Sequence, residues 1–182
     1  MKVVLMVTGA IVAALAMLVV VVLVLGSRSP QHHIASRSIR LNRPPADVYT
    51  TVRDFEASSG WRADVQRVEM LGNVNGHVQF REHGSNGAIT YELVEEVPNR
   101  RIVTRIVNRD LGYSGSWAYV FSPSGDGTLL EVTENGEVSN PIFRFMSRYV
   151  FGHTATIDVY LKALAQHFGE SAAPQDAETP AR

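Results

Sequence analysis

The 182-residue chain contains no cysteine. This excludes disulfides, thiolate nucleophiles and cysteine metal sites, and it is compatible with an oxidising or a reducing compartment. Neither sign of charge is in excess: 17 lysines and arginines stand against 18 acidic residues, so no electrostatic attraction points to DNA or RNA as a partner. Catalytic signatures are missing as well. Ser114, Ser116 and Ser147 have no nucleophile-elbow context, and "GSNG" and "SGDG" read as turns rather than phosphate loops. Glu95 and Glu96 are neighbours on a strand and face opposite ways, which does not suit a shared acid/base site. His77 and His83 stand about 20 Å apart on an extended strand, and His32 and His33 point to opposite faces, so no metal-ligand spacing is present. The reading is therefore no catalytic residue, no metal and no cofactor.

What the amino terminus does hold is a long run without charge. Residues 3–25, bounded by Val3 and Leu25, are interrupted only by Thr8 and Gly9. As a helix this run reaches roughly 35 Å, against about 30 Å for a bilayer's hydrocarbon core. A cleaved signal peptide has a shorter apolar region, and "VLGS" at 24–27 is only a weak cleavage site. No cysteine follows "LVLG", which excludes a lipoprotein anchor. The segment is expected to be an uncleaved single-pass anchor over residues 1–26. Lys2 precedes it while Arg28, Arg37 and Arg40 follow, so the positive-inside tendency favours a cytoplasmic domain.

Residues 27–31 read as a linker of turn formers, and a domain over 32–169 begins with the alternating strand "HHIASRSIRL". "NRPPADVYTTVRDF" predicts a short helix with Asn42 as cap and Val48, Val52 and Phe55 at helical spacing. From Val65 to Val138, short apolar-alternating runs separated by "GNVNG", "HGSNG", "VPNR", "RDLG" and "SPSGDG" predict six antiparallel strands. A helix over 141–168 follows, and the polar tail 170–182 is expected to be disordered.

One hairpin can be registered by side-chain chemistry. A four-residue "VPNR" loop pairs Glu96 with Arg101, Val94 with Val103 and Glu92 with Arg105 on one face, and Leu93 with Thr104 and Tyr91 with Ile106 on the other. A three-residue loop would set Leu93 against Arg105. The preferred register makes Arg101, Arg105 and Arg109 a solvated outer row. The inner row needs a cover, and the last helix supplies one, with Ile142, Met146, Tyr149, His153, Ile157, Tyr160 and Leu164 on one stripe and Arg144, Arg148, Lys162 and Gln166 on the wet side. A curved seven-stranded antiparallel sheet around a long carboxy-terminal helix, preceded by a transmembrane helix, is an α+β arrangement.

Several stretches carry a resemblance. "ASRSIRLNRPPADVYTTVRDF", with Arg43, Pro44, Pro45, Val48, Asp54 and Phe55, together with "WRADVQRVEML", "GDGTLLEVTENGEV" and the closing helix, resembles the SRPBCC superfamily of START and birch-pollen-allergen-like helix-grip proteins, in its polyketide cyclase/dehydrase-like or coenzyme Q-binding-like branch. "ASSGW" lacks the paired proline and tryptophan often seen at that connection, so no role is carried over to Trp61. The resemblance implies a cavity between sheet and helix that holds a hydrophobic small molecule, lipid or polyketide. Tyr91, Leu93, Thr104, Ile106, Tyr149, His153, Ile157 and Tyr160 are its expected lining. Trp117 and Tyr119 alternate with Ala118 and Val120, and either set fits the inner face.

His153 is open to three readings: a packed core residue with one hydrogen bond, a ligand contact, or an acid/base catalyst. Asp158 is about 140° around the helix from it and cannot orient it, which leaves Glu95 or Asn108 as partners from the sheet. Gly152, just before it, marks a place where the helix can bend and the stripe change phase. The whole favours a membrane-tethered binder or carrier of a lipid-, quinone- or polyketide-like molecule. A cyclase or dehydratase and a ligand-free interaction module remain as alternatives.

Overall fold

The structure is a computed structural model and describes residues 2–85 and 87–177. Asn86 of the predicted "HGSNG" turn and residues 178–182 of the predicted tail lie outside the described residues.

Helix α1 (Lys2–Arg28) contains the apolar run and is long and apolar enough to cross a membrane. Its end is closed by Ser29, whose hydroxyl donates to the Leu25 carbonyl at 2.9 Å. Strand β1 (His32–Leu41) then begins after only three residues, so the expected linker is little more than a turn. Helix α2 (Pro45–Arg53) starts at a proline whose locked φ suits a first helical turn, with Pro44 as its cap. Asn42, the predicted cap, instead uses its backbone amide and side-chain amide to bind Glu170. Val48, Val52 and Phe55 are all buried, as their spacing requires.

A 3-10 turn (Glu56–Gly60) leads into the predicted six-strand meander: β2 (Val65–Val74), β3 (His77–Gly84), β4 (Gly87–Val97), β5 (Arg101–Ile106), β6 (Tyr113–Ser124) and β7 (Gly127–Val138). Strand β1 pairs antiparallel with β7, and a two-residue strand β8 (Gln175–Asp176) pairs with the other edge of β1, giving the order β2-β3-β4-β5-β6-β7-β1-β8. Part of the tail is thus held rather than free. Asp176 is bound by Arg37, which also donates through Nε to Asp158 at 2.7 Å.

The β4–β5 hairpin combines both registers weighed above. Val97 pairs with Arg101 across a three-residue loop in which Asn99 adopts φ +60, and Glu96 pairs with Ile102. A bulge at Val94 then absorbs one residue, so Leu93 meets Thr104, Glu92 meets Arg105 and Tyr91 meets Ile106. The turn corrects the expected Glu96–Arg101 and Val94–Val103 pairs, while the inner face keeps its expected partners. Arg105 donates to Glu92 and Arg101 to Glu95 on the outer face. Arg109 lies in the loop beyond β5, outside that row.

The closing helix is not continuous. Helix α3 (Pro141–Met146) is capped by Asn140, whose Oδ1 accepts from the Ile142 amide at 2.8 Å. A π turn (Ser147–Phe151) follows, Gly152 stands at φ +79, and α4 (Ala155–His167) starts in a new direction. The expected stripe is therefore split. Ile157, Tyr160 and Leu164 are buried on α4 against the inner face, whereas Ile142 and Tyr149 are exposed. Arg144, expected on the wet side, is buried. Lys162 and Gln166, downstream of the break, remain on the exposed side.

Gly152 makes no contact that a side chain would disturb, since nothing lies within 4 Å of a Cβ built on it. Gly152→Ala therefore tests backbone conformation alone. At φ +79 and ψ 157 the backbone lies in a region essentially reserved for glycine, where another residue costs about 1–3 kcal/mol, and thermal denaturation is expected to show a loss of that size. An unchanged melting temperature would mean that the break between α3 and α4 is not required.

Candidate functional site

The space under α4 is filled by rings. Tyr160, projecting from α4, lies 5.4 Å from Trp61, 5.9 Å from Trp117 and 5.6 Å from Tyr119 between ring centroids. This settles the face of β6: Trp117 and Tyr119 point inward. Phe55 stacks on Phe80 at 4.1 Å, and Phe80 on Tyr91 at 5.3 Å, which extends the aromatic wall toward β3 and β4. Leu93, Thr104 and Ile157 are buried on the same interior, with Tyr91 and Ile106 partly so. Tyr149 does not join them: it is exposed and packs beside Phe145.

Polar groups are set into this wall. Arg62 donates to Glu82 at 2.6 Å and to Asp64 at 2.7 Å, and its guanidinium lies 5.4 Å from the Tyr160 ring centroid. Burial works against the Arg62 charge, but the carboxylates of Glu82 and Asp64 outweigh it and raise its pKa. Burial likewise raises the hydroxyls of Tyr91, Tyr119 and Tyr160, so they stay protonated and available as donors. Trp61 Nε1 is buried without a hydrogen-bond partner among the described residues. A buried donor in that condition costs about 1–3 kcal/mol.

A second polar group closes the end of the interior nearest α1. His153 stacks on His33 of β1, with ring centroids 4.4 Å apart, and His33 Nε2 is 3.7 Å from Glu134 of β7. Neither sheet partner considered for His153 reaches it. Glu95 is engaged by Arg101 on the outer face, and Asn108 Oδ1 accepts from the Thr90 amide at 2.6 Å. Burial lowers the His33 pKa; for His153, burial, then His33, then Arg148 act in the same direction. Burial raises the Glu134 carboxyl, against hydrogen bonds from Thr156 and Trp117.

The sequence reading omitted Trp61, Arg62, Glu82, Glu134, His33 and Arg144 from the site. For Glu134 a signal was present: Leu130, Val132 and Glu134 share one side of β7, and the first two are fully buried. Glu82 likewise follows Phe80 at the two-residue strand period. Arg144 carried no such signal, because the π turn that reorients it leaves no mark in hydrophobic spacing.

Two concavities border the filled interior. A pocket of about 90 Å³ lies at the α1 end beside His33, Arg144 and His153. An open groove of about 390 Å³ runs outside α2, between Tyr49, Phe55 and Met70. Among the described residues no group of three or more metal-ligating side chains occurs.

Replacing Glu82 by Leu alone leaves the Arg62 charge short of its closest partner and is expected to cost about 3 kcal/mol in urea unfolding, while Arg62→Met with Glu82→Leu recovers most of the loss; equal costs for the single and double variants would discard this account of the pair. For the histidines, the unfolded rings protonate near the ordinary value of 6.5, above their folded values. Their contribution to stability is therefore present above that pH and is lost as pH falls toward the lowered folded values. His153→Gln should flatten the decline in stability between about pH 7 and about pH 5.5. Glu134 acts in the opposite sense and is common to both chains. Parallel curves for the two proteins would count against the lowered His153 pKa.

Comparison with solved structures finds the same fold in several proteins. A START superfamily protein from Mycobacterium smegmatis is 22% identical, covering 74% of this chain and 96% of that one, with a TM-score of 0.61. An aromatase/cyclase from a Streptomyces species is 14% identical, covering 75% and 93%, with a TM-score of 0.64. Norcoclaurine synthase from Thalictrum flavum is 10% identical, covering 81% and 91%, with a TM-score of 0.58. No curated protein sequence matches the chain. The family model described as polyketide cyclase/dehydrase and lipid transport matches residues 32–168, strands β1 to β7 together with α2, α3 and α4, and the chain belongs to that family.

Proposed function

We propose that this protein is a membrane-tethered binder or carrier of a hydrophobic small molecule, of lipid-, quinone- or polyketide-like character, held between the sheet and α4. The observation that carries this reading is the unpartnered Trp61 N–H inside an aromatic wall that also holds the Tyr160 hydroxyl and the Arg62–Glu82 pair. An apolar shell with a few fixed polar groups matches the composition of small-molecule sites. A carbonyl or hydroxyl oxygen on the ligand would satisfy the indole donor, while rings on either side would cover its apolar body. Room for the ligand comes from separating the rings on α4 from those on the sheet, with the break at Gly152 as the point of movement.

Helix α1 supports the tether by its length and lack of charge. The arginines on the domain side of α1 support a cytoplasmic domain. Tethering shortens the path of a poorly soluble cargo between bilayer and domain.

A second reading, a cyclase or dehydratase acting on such a molecule, is favoured by one observation: Glu134, with its raised pKa, reaches the interior between His33 and Trp117. A carboxyl whose pKa burial raises holds its proton more readily than an exposed one, which suits a general acid. Under this reading Glu134→Gln abolishes turnover of the bound compound while binding persists.

The test uses the full chain in detergent, incubated with a lipid extract of its source cell, repurified and weighed by native mass spectrometry. A defined adduct is expected, with lower occupancy in Trp61→Phe, which keeps a ring but loses the N–H. Alkaline extraction of cell membranes is expected to leave the protein in the pellet. A folded protein without any adduct would move the assignment to a ligand-free interaction module, and release into the alkaline supernatant would remove the tether.

A further inference from the structure

Arg144 is buried on α3 with 8% of its surface exposed, and among the described residues no carboxylate pairs with it. Among the described residues its Nε has no hydrogen-bond partner, and Nη1 reaches only the Ser29 carbonyl at 3.5 Å. A guanidinium removed from water without a counter-charge is a costly arrangement, and buried charges are ordinarily paired.

The pocket of about 90 Å³ lies against this side chain, and Arg148, Ser147, His33 and His153 also line it. His153 Nδ1 is a second buried atom here without a partner among the described residues. Two arginines, two serines and three histidines, His32 among them, thus border one small space. Its volume is several times what a single water needs. A tetrahedral oxyanion is the ligand class that could engage both arginines at once, because guanidinium donors match phosphate oxygens in pairs.

Location narrows the source. Ser29, at the pocket's rim, is four residues past Leu25, the end of the apolar run, or roughly 6 Å along a helix axis. The polar layer of a bilayer is about 5–8 Å deep on each side. Gly26 is pressed so closely on Pro141 that a Cβ there would come within 1.9 Å of the Pro141 carbonyl oxygen, which holds α3 beside the end of α1. Next to Arg144, Ser147 and Arg148 in the chain, α3 and the π turn expose Ile142, Phe143, Val150 and Phe151. An uncovered apolar cluster of this kind beside an anchor suits the upper part of the acyl chains.

We propose that the pocket between α1, β1 and the π turn binds the phosphate of an anionic membrane lipid, with Arg144 as its buried ligand and Ile142, Phe143, Val150 and Phe151 against the acyl chains. The inference rests on α1 being a membrane anchor, and it is separate from the interior ligand under α4.

The experiment uses the full chain in dodecyl maltoside with three probes: dioleoylphosphatidylglycerol, dioleoylglycerol and inorganic phosphate. Native mass spectrometry is expected to show retention of the phosphatidylglycerol and not of the dioleoylglycerol. Arg144→Gln should weaken that retention about tenfold or more, the loss of a charged hydrogen bond, and Trp61→Phe should leave it unchanged. Because Arg144→Gln is a buried change, Arg148→Gln at the exposed arginine and the histidine NMR spectrum of the unaltered protein provide independent readouts. Phosphatidylglycerol should move the His33 and His153 ring resonances, and Arg148→Gln should reduce its retention. Equal retention of the two lipids, retention insensitive to both arginine substitutions in folded protein, or unmoved histidine resonances would each overturn the proposal. Inorganic phosphate moving those resonances as far as the lipid does, without preferential lipid retention, would overturn the lipid as source in favour of a free anion. Alkaline extraction reports on the tether independently, so loss of the anchor and loss of the lipid site are told apart.

Discussion

The burial of one side of α4 against the concave face of the sheet is the constraint from which the other features follow. Ile157, Leu161 and Leu164 are completely buried there, opposite Ile39 and Leu41 of β1 and Leu130 and Val132 of β7, which are buried as deeply. Each such aliphatic side chain contributes about 1.5–3 kcal/mol when fully removed from water. Val48 and Val52 of α2 are buried in the same core, so α4 shares the covering of the sheet with α2 and is held in place and direction by its own buried side. The Arg37–Asp158 pair fixes the helix to β1 at the same place. Everything between β7 and α4 must then accommodate that direction, and it does so with a cap at Asn140, a π turn and a left-handed glycine.

This accommodation explains what was legible in the amino-acid sequence and what was not. Strand alternation and turn residues are local signals, and they located the meander from Val65 to Val138 and the inward rows of Tyr91, Leu93, Thr104 and Ile106. Hairpin geometry was less local. Opposite-charge pairing selected the correct partners for Glu92 and Leu93, yet the register near the turn depends on a bulge at Val94, and a valine in a strand does not announce a bulge. The closing helix failed in a similar way. Seven apolar or aromatic residues fit one helical stripe on paper, but the π turn and Gly152 change the phase between Met146 and Ala155, placing Tyr149 outside and Arg144 inside.

The two polar clusters differ in how their charges are met. In the interior, Arg62 has two carboxylates within hydrogen-bonding distance and an aromatic face beside it. At the α1 end, Arg144 has a carbonyl at the limit of contact, and the titratable groups that border the same pocket are Arg148, His32, His33 and His153, which add positive charge or none. Glu134 lies beyond His33, engaged with Thr156. The same fold thus contains one arginine that is internally neutralised and one that is not. Pairing of the first was invisible from spacing, because Arg62 and Glu82 meet only when β2 and β3 are aligned.

The seam between Gly26 and Pro141 has a mechanical consequence. Only three residues separate α1 from β1, and α1 touches α3 at a point where a side chain could not fit, so there is no slack between the amino-terminal helix and the domain. The tilt of a helix in a bilayer responds to hydrocarbon thickness, and an apolar run of roughly 35 Å exceeds the usual core of about 30 Å. Seated in a membrane, α1 would act as a lever: a change in bilayer thickness that altered its tilt would turn α3 with it, loading the left-handed joint at Gly152 on the far side of which α4 covers the aromatic interior.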